Sequence, residues 1–500
     1  MGVWDGVKNM IAKMLNIQPA LERTQITIRE PIGYQTNVLR NRLWYRGDPS
    51  ELEQFAIQTA SDAVSKGRFW AAVATGGLRI RKIHSGLPAM VAGTLADIVI
   101  ADFDGIELNA GGDDWEAIAE DNSFDKLLGE SVVEALVAGD GAYKVTIDPD
   151  VSEHPIIEFY SGEQVDYKRQ RGRLQEVLFY TDYRHKDDDY RLEETFGRGY
   201  VRARLLNKYG KEVPLTTVPE TAKLAPVVTY VGDWIMAVPM QFFKSPKWPG
   251  RGKSIFDSKN DEFDALDEII SQWVDAIRAG RVQKYIPQDL VPKNPKTGEF
   301  EQPNPFMNQF LKIGGRLAED ADEKIQVVQP LILYEAFVES YASALDMCLQ
   351  GIVSPSSLGI DLKKRDNAEA QREKEKTTLY TRGKLIEVLN TVLPQLVDVT
   401  LKVHDTMQGR SAGTYTATPE FGEYASPSFD ETIESVGKAK TFGIMSLETA
   451  IDQLYGDSWT DEQKAEEVKR LKEDGSMGVE EPMVRKSDDP PNTDPPAGDE

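Results

Sequence analysis

A single cysteine, Cys348, and four histidines stand among the 500 residues of this chain. One thiol excludes an intramolecular disulfide, and with it an oxidised scaffold. His84, His154, His185 and His404 are scattered, with no zinc-type spacing. Long apolar runs are missing too: the longest, Leu87 to Ala101, contains Asp97 and is too short to cross a bilayer. Met1 to Ile17 carries Val3, Trp4, Val7, Met10, Ile11, Met14 and Leu15 on one face but no signal-type cleavage region. The opening Met1-Gly-Val-Trp-Asp-Gly6 lacks the Ser/Thr of a myristoylation signal. This segment reads as a docking helix, with a membrane-surface anchor as the other reading. Positive charge is in short supply as well, with 58 Lys and Arg against 82 Asp and Glu, a net −24. Such a surface argues against tight phosphate-backbone binding over its whole area, but suits a duplex that must slide past without sticking.

Catalytic motifs are equally scarce. No Gly-x-Ser-x-Gly elbow and no Cys/His nucleophile pair occur. The nearest approach to a phosphate loop is Trp248-Pro-Gly-Arg-Gly-Lys-Ser254, but the first glycine position holds Lys247. A phosphate loop needs Gly, four residues, then Gly-Lys-Ser, so that backbone N–H groups wrap the phosphates. A tight turn ahead of a long helix fits these residues better. Ile98-Val-Ile-Ala-Asp102 has the form of a magnesium-binding strand, yet it precedes the loop. Asp102, Asp104, Asp113 and Asp114 lack the glycine and bidentate-glutamate spacing of a calcium loop and read as solvated turn carboxylates. The expectation is a non-enzyme with no metal and no cofactor.

What the chain does have is length and helical periodicity. At 40% apolar and 28% charged it has room for several domains and a sizeable core. Asp257 to Arg281 sets Phe263, Leu266, Ile269, Ile270, Trp273, Val274 and Ile277 on one stripe. Leu333 to Val353 repeats the pattern with Phe337, Tyr341, Leu345 and Leu349. Between them lies a proline-punctuated insert with the turn Asn294-Pro-Lys-Thr-Gly298 and a strand over Lys324 to Val328, read as a small α/β module. Then come Leu362-Lys-Lys-Arg365 and a long helix, Asp366 to Val403, spanning about 57 Å if continuous. Its first third is polar, and Pro394 should kink it.

Upstream, residues 32–80 read as mostly helical, with Ser50 and Glu53 as a capping box, and Phe124 to Gly139 as an amphipathic helix. From Ala142 to about Val238 the period changes to two. Tyr143 to Ile147, Ile156 to Tyr160, Glu176 to Tyr180, Tyr200 to Leu205 and Val227 to Tyr230 make an antiparallel sheet domain. Beyond Gly409, capping boxes at Ser428/Glu431 and Thr460/Gln463 open further helices. Asp488 to Glu500, rich in Asp, Pro and Gly, is expected to be disordered. The class expected is α+β.

Taken in order, these segments resemble the portal proteins of tailed bacteriophages, of the long-tailed type with Gram-positive hosts. The carrying residues are Asn41-Arg-Leu-Trp-Tyr-Arg-Gly47, Arg81-Lys-Ile-His-Ser-Gly86 with Leu95-Ala-Asp-Ile-Val99, and Gly139-Asp-Gly-Ala-Tyr-Lys-Val145. Gly252-Lys-Ser-Ile-Phe256 leads into the first striped helix, and Gly443-Ile-Met-Ser-Leu-Glu-Thr449 precedes the charged terminal helix. Each motif is weak alone. Their order, beside the plan helix–module–helix–turn–long helix, spans almost the whole chain.

The resemblance implies a ring, usually a dodecamer, at one capsid vertex of a virion assembled in the host bacterial cytoplasm. Double-stranded DNA would enter and later leave through it. Residues 1–31 would be an N-terminal arm, 32–256 the wing, 257–285 and 331–353 the stem helices, and 286–330 the clip. Residues 354–366 would be a tunnel loop, 367–403 a long kinked wing helix, 404–475 the crown and 476–500 a disordered acidic tail. Phe263, Trp273 and Phe337 would pack the stem. Lys293, Lys296, Glu299 and Glu301 would lie on the clip, where the terminase large subunit and then the head-completion adaptor dock. Major capsid and scaffolding proteins complete the implied partners, and no membrane is among them. Lys363, Lys364 and Arg365 depart from a simple glycine/serine tunnel loop; they would face DNA or a neighbour's carboxylates. Two other classes stay open: a structural connector or shell oligomer without DNA transit, and a nucleotide-driven motor subunit built on the 247–254 loop.

Overall fold

The protein was analysed as a computed structural model, which describes residues 30, 32–59, 69–73, 80–280, 283–287, 294–298, 310–313, 326–328, 331–360, 368–422, 429–455 and 459–476. The expected N-terminal docking helix, the turn Lys363-Lys364-Arg365 and the acidic tail lie outside these residues.

Local chemistry sets the first helices. Tyr34–Arg46 (α1) stops at Gly47, which turns left-handed at φ 72° and donates its N–H to the Leu43 carbonyl. No other residue would fit, because a Cβ there would stand 2.5 Å from the His84 ring. Asp48 then caps Pro49–Thr59 (α2), its Oδ1 accepting the Ser50 N–H at 2.8 Å. The expected Ser50/Glu53 box does not form. The nearer Asp48 takes the N-terminal N–H, and Glu53 is drawn away to Lys82 at 3.1 Å.

Leu87–Ile100 (α3), Gly112–Asp121 (α4) and Phe124–Ala138 (α5) follow. The inner faces of α3 (Val91, Leu95, Val99) and α5 (Leu128, Val132, Leu136) share the main core. Between α3 and α4 the acidic segment read as a turn is a strand, Phe103–Leu108 (β1).

The sheet region is antiparallel, as its alternation requires. Gly141–Thr146 (β2) and Ile156–Ser161 (β3) pair with each other. Val165–Gln170 (β4), Arg173–His185 (β5), Asp188–Gly197 (β6), Tyr200–Asn207 (β7) and Glu212–Val213 (β8) form a meander in chain order, with Val227–Thr229 (β9) also beside β7. Ala237–Met240 (β10) returns to the far side of β2.

Asn260–Ala279 (α6) and Tyr334–Leu349 (α7) are the two striped helices, each a few residues shorter than the periodicity expects. Between them Gln283–Pro287 (β11), Phe310–Ile313 (β12) and Gln326–Val328 (β13) form a three-stranded sheet with β11 central, parallel to β12 and antiparallel to β13. Ala368–Met407 (α8) runs for 40 residues with Pro394 inside it. Leu385, Leu389, Leu393 and Leu396 give it a buried seam of three-to-four spacing. Ala417–Phe421 (β14) pairs antiparallel with β1.

Helices and antiparallel sheets thus alternate in blocks, and the fold is α+β. The chain divides into two compact units at Gly422. Residues 404–422, expected with the C-terminal crown, belong instead to the first unit. The last turn of α8 and the β1–β14 pairing hold them there. The second unit comprises Phe429–Thr441 (α9), Leu447–Tyr455 (α10) and Asp461–Ser476 (α11). At α11 the expected capping box is in place: Thr460 donates its N–H to Gln463 Oε1 at 3.0 Å, and Gln463 returns its own to Thr460 Oγ1 at 3.4 Å.

Candidate functional site: the helix pair and its root

Helices α6 and α7 run antiparallel. Lys259 at the base of α6 reaches the Met347 carbonyl at 2.5 Å, while Trp273 stacks on Phe337 with ring centroids 6.1 Å apart and planes 1° from parallel. Tyr341 closes the cluster at 6.4 Å from Trp273. Trp273 and Phe337 thus meet across the pair as expected, but each remains half-buried in a single chain. Phe263 does not join them. Nearly three turns nearer the root, it is fully buried between Trp44, at 5.9 Å, and Phe256, at 5.7 Å, where it anchors the helix in the core.

Beyond the aromatic cluster the pair bares its apolar side chains. Leu331 is 86% exposed, Leu333 63%, Tyr334 61%, Ile277 51% and Val338 46%. Ile277 lies on α6, Tyr334 and Val338 on α7, and Leu331 and Leu333 in the segment that enters α7.

The root of α6 is held from its polar side. Asp264, Asp267 and Ser271 lie at i, i+3 and i+7, one face of the helix. Two short stretches, the 3-10 turn Trp70–Ala72 and residues 83–85, donate backbone N–H groups into that face. Trp70 and Ala71 bond the two Asp264 oxygens at 2.6 and 2.9 Å, Ser85 bonds Asp267 at 2.9 Å, and Ile83 bonds Ser271 Oγ at 3.0 Å. His84 adds its Nδ1 to the other Asp267 oxygen at 2.7 Å. Burial pushes the Asp264 carboxyl up to about 6, against the two N–H bonds that pull it down. Nothing in the sequence distinguished these carboxylates from a solvated helix face; the signal is only that three polar residues share one stripe beside the apolar one.

The loop 247–254 is a latch. Arg251 grips the fully buried Asp140 with Nε at 3.0 Å and Nη2 at 2.8 Å, and its other N–H groups reach the Val165 and Gly162 carbonyls. Tyr34 O–H donates to the same carboxylate at 2.8 Å, and the Gly252 N–H does so at 2.6 Å. Burial opposes the Arg251 charge, but Asp140 outweighs it and holds the guanidinium firmly protonated. Burial and the Asp140 charge together raise the Tyr34 hydroxyl well above its ordinary range. Gly252 is forced by proximity, since a Cβ would lie 2.0 Å from the Gly139 carbonyl oxygen. The N–H groups of Gly252, Lys253 and Ser254 all bond the protein itself, so none is left to wrap a phosphate.

The remaining sequence candidates are dispersed. Asp102 pairs with Arg382 at 2.7 Å, and Asp114 lies 3.7 Å from His404 and 3.5 Å from Arg410. No metal-ligating cluster occurs among the described residues. Of the clip residues, Lys296 sits in the exposed turn 294–298, while Lys293, Glu299 and Glu301 lie outside the described residues. Cys348 is buried at the base of α7, where burial pushes its thiol up to about 12.

No protein-family model matches the chain, and no curated protein matches it in sequence. Among solved structures, similarity is found to a chain of "Virion of native gene transfer agent (GTA) particle", at 12% identity and TM-score 0.35, covering 87% of this chain and 94% of that one. A chain of "Neck of empty GTA particle computed with C6 symmetry" matches at 12% identity and TM-score 0.37, covering 74% and 90%. One of "Neck of native GTA particle computed with C12 symmetry" matches at 12% and 0.35 over the same shares. Superpositions this loose transfer no function to this chain.

Proposed function

We propose that the chain is the subunit of a portal ring through which double-stranded DNA passes at a capsid vertex. The supporting observation is the α6/α7 pair, held in the core at its root, with apolar side chains at its far end exposed among the described residues. A face of this kind is covered by a different face of the next copy, and such head-to-tail contacts close into a ring when the rotation permits. A net charge of −24 suits the wall of a passage, because it keeps a duplex from adhering. In this reading α6 and α7 are the stem and β11–β13 belong to the clip, where a packaging motor and then head-completion proteins dock. Residues 354–366 narrow the channel, and capsid and scaffolding proteins surround the wing. Twelve copies per ring are proposed, the number that the resemblance to portal proteins implies.

The second reading is a connector ring without DNA transit, which uses the same apolar flank. A nucleotide-driven motor finds little support, since the loop it would need spends its N–H groups on Asp140, Phe243 and Asp257. Negative-stain imaging of the purified protein tests the proposal: rings with an open axial hole are expected. Monomers at micromolar concentration, or closed discs, overturn it. Measurable ATP turnover would revive the motor reading.

A further inference from the structure

The six-stranded sheet carries its positive charge unevenly. The register brings the β4–β5 turn and the β6–β7 turn to one end: Gln170 pairs with Arg173, Glu176 with Gly197, Gly197 with Tyr200, and Thr195 with Arg202. Lys168, Arg169, Arg171, Arg173, Arg198 and Arg202 therefore crowd that end, and all six are exposed. Only two of them hold a carboxylate, Lys168 with Glu176 at 2.7 Å and Arg198 with Asp233 at 3.6 Å. Among the described residues Arg169, Arg171, Arg173 and Arg202 have no ion-pair partner.

Elsewhere in the sheet most cations are neutralised, although Lys186 and Lys211 are exposed without an ion pair among the described residues. Arg191 pairs with Asp182 at 2.6 Å, Lys208 with Asp188 at 2.8 Å, Arg184 with Asp187 at 3.7 Å, and Arg204 with Glu193. Four arginines at one end of the sheet thus stand without an ion pair, and Glu176, whose carboxyl Lys168 chiefly holds below its ordinary range, is near enough to Arg202 for that charge to help.

Arg171 sits in the left-handed region at φ 51°, followed by Gly172 at φ 79°. A two-residue hairpin turn of this kind favours Asn-Gly, so an arginine stands where the left-handed backbone favours Asn, as Lys186 does at φ 49° in the opposite turn. Arg169 and Arg202 also lie over the Tyr167 and Tyr200 rings, 5.7 Å from each centroid, which holds their guanidinium groups in place.

We infer that this arginine-rich end of the sheet binds the phosphate backbone of double-stranded DNA. Guanidinium forks match phosphate oxygens bidentately, and five of the six cations are arginines. Across three inter-strand spacings they cover about 14 Å, a span over which a duplex presents roughly eight charges. The residues stand exposed on the surface, and a row of identical phosphates needs no pocket. At physiological salt the screening length is about 8 Å, so a phosphate at the tip responds to the local charges, the six cations with Glu176 and Asp233, before the rest of the acidic surface. The contact does not require the ring.

The test is binding of a short fluorescent duplex to the full chain between about 50 and 200 mM salt. The wild type should bind, with log affinity falling linearly in log salt. Arg169→Gln, Arg171→Asn and Arg173→Gln together should weaken binding at the lowest salt by about tenfold or more and flatten the slope by about 2.7. Arg171→Asn also relieves the turn, so the variant should melt no lower than the wild type. Arg184→Gln, Lys186→Gln and Lys208→Gln make the same charge change at the opposite end and should leave binding unaltered. Equal losses in both variants would reduce the effect to net charge and overturn the inference, as would a wild type that does not bind. Displacement by a synthetic peptide of residues 477–500, from a surface DNA does not occupy, would assign the arginines to an acidic protein segment and overturn it too. Rings are imaged separately, so this inference and the portal reading can fail independently.

Discussion

Asp140 and Arg251, 111 residues apart in the chain, meet in a bidentate pair with bonds of 3.0 and 2.8 Å, the carboxylate fully buried and the guanidinium side chain 10% exposed. This pair ties the end of α5 and the start of β2 to the loop entering α6. It sits where the sheet region meets the helix pair.

Because the pair is buried, breaking it should be severe. Asp140→Asn leaves a buried cation short of its counter-charge and should cost about 3–5 kcal/mol in urea denaturation. A double change to Asp140→Asn with Arg251→Met should recover part of that loss. A single-variant loss below about 1 kcal/mol would show that the latch does not hold the fold.

Trp273 is half-buried in one chain, so its full burial depends on neighbours. Trp273→Ala should lower the stability of the assembled ring more than that of the dissociated subunit, with up to about 3–5 kcal/mol per site at full burial. Rings of normal size and melting temperature from this variant would remove α6 from the subunit interface.

Asp264 gives a pH dependence with a definite sign. Its folded carboxyl titrates near 6, above the ordinary 3.8, so between those values the folded state holds more protons than the unfolded one. Its contribution to stability is therefore greatest below pH 4 and declines as pH rises through 6, by about 3 kcal/mol. Asp264→Asn keeps one acceptor and removes the titration. The stability of the variant relative to the wild type should improve from pH 4 to 7, and a pH-independent difference would mean that Asp264 is not the group responsible.

Replacing Lys293 to Phe300 by a Gly/Ser linker should leave rings intact and stop DNA packaging into proheads. Normal packaging by such rings would move the docking surface away from the clip.

Neutralising Lys363, Lys364 and Arg365 to Gln should alter the packaging rate or the retention of packaged DNA while sparing the ring. Failure of the ring instead would make these cations subunit contacts. No change in either would move the DNA-contacting residues elsewhere in the channel.

Periodicity made several elements legible in advance. The stripes of α5, α6 and α7 were readable to within a few residues, because an amphipathic helix writes its buried face into every third or fourth position. The alternation of β2, β3, β5 and β7 was readable for the equivalent reason. The strands β1 and β14 were not. Their pairing joins segments so distant that Thr416 bonds Asn109 across 307 residues, and Asp102-Phe-Asp-Gly105 alone looks like a turn. The same limit hid the partners of Phe263, whose stripe predicted burial but not whether Trp273 or Trp44 would cover it. The run Lys168-Arg-Gln-Arg-Gly-Arg173 is contiguous in the sequence, but nothing there showed that Arg198 and Arg202 would join it.

By itself, then, the sequence determined the striped helices and the alternating strands β2, β3, β5 and β7 and which face of each is apolar, since both follow from neighbours a few residues away. It also determined the chain's acidity and the absence of disulfides. Only the tertiary structure decided that Arg251 serves a latch and Asp264 a clasp, and that the unpaired arginines gather at one end of a sheet. Charge pairing and burial depend on distances through space between residues far apart in the chain, and periodicity carries no record of those distances.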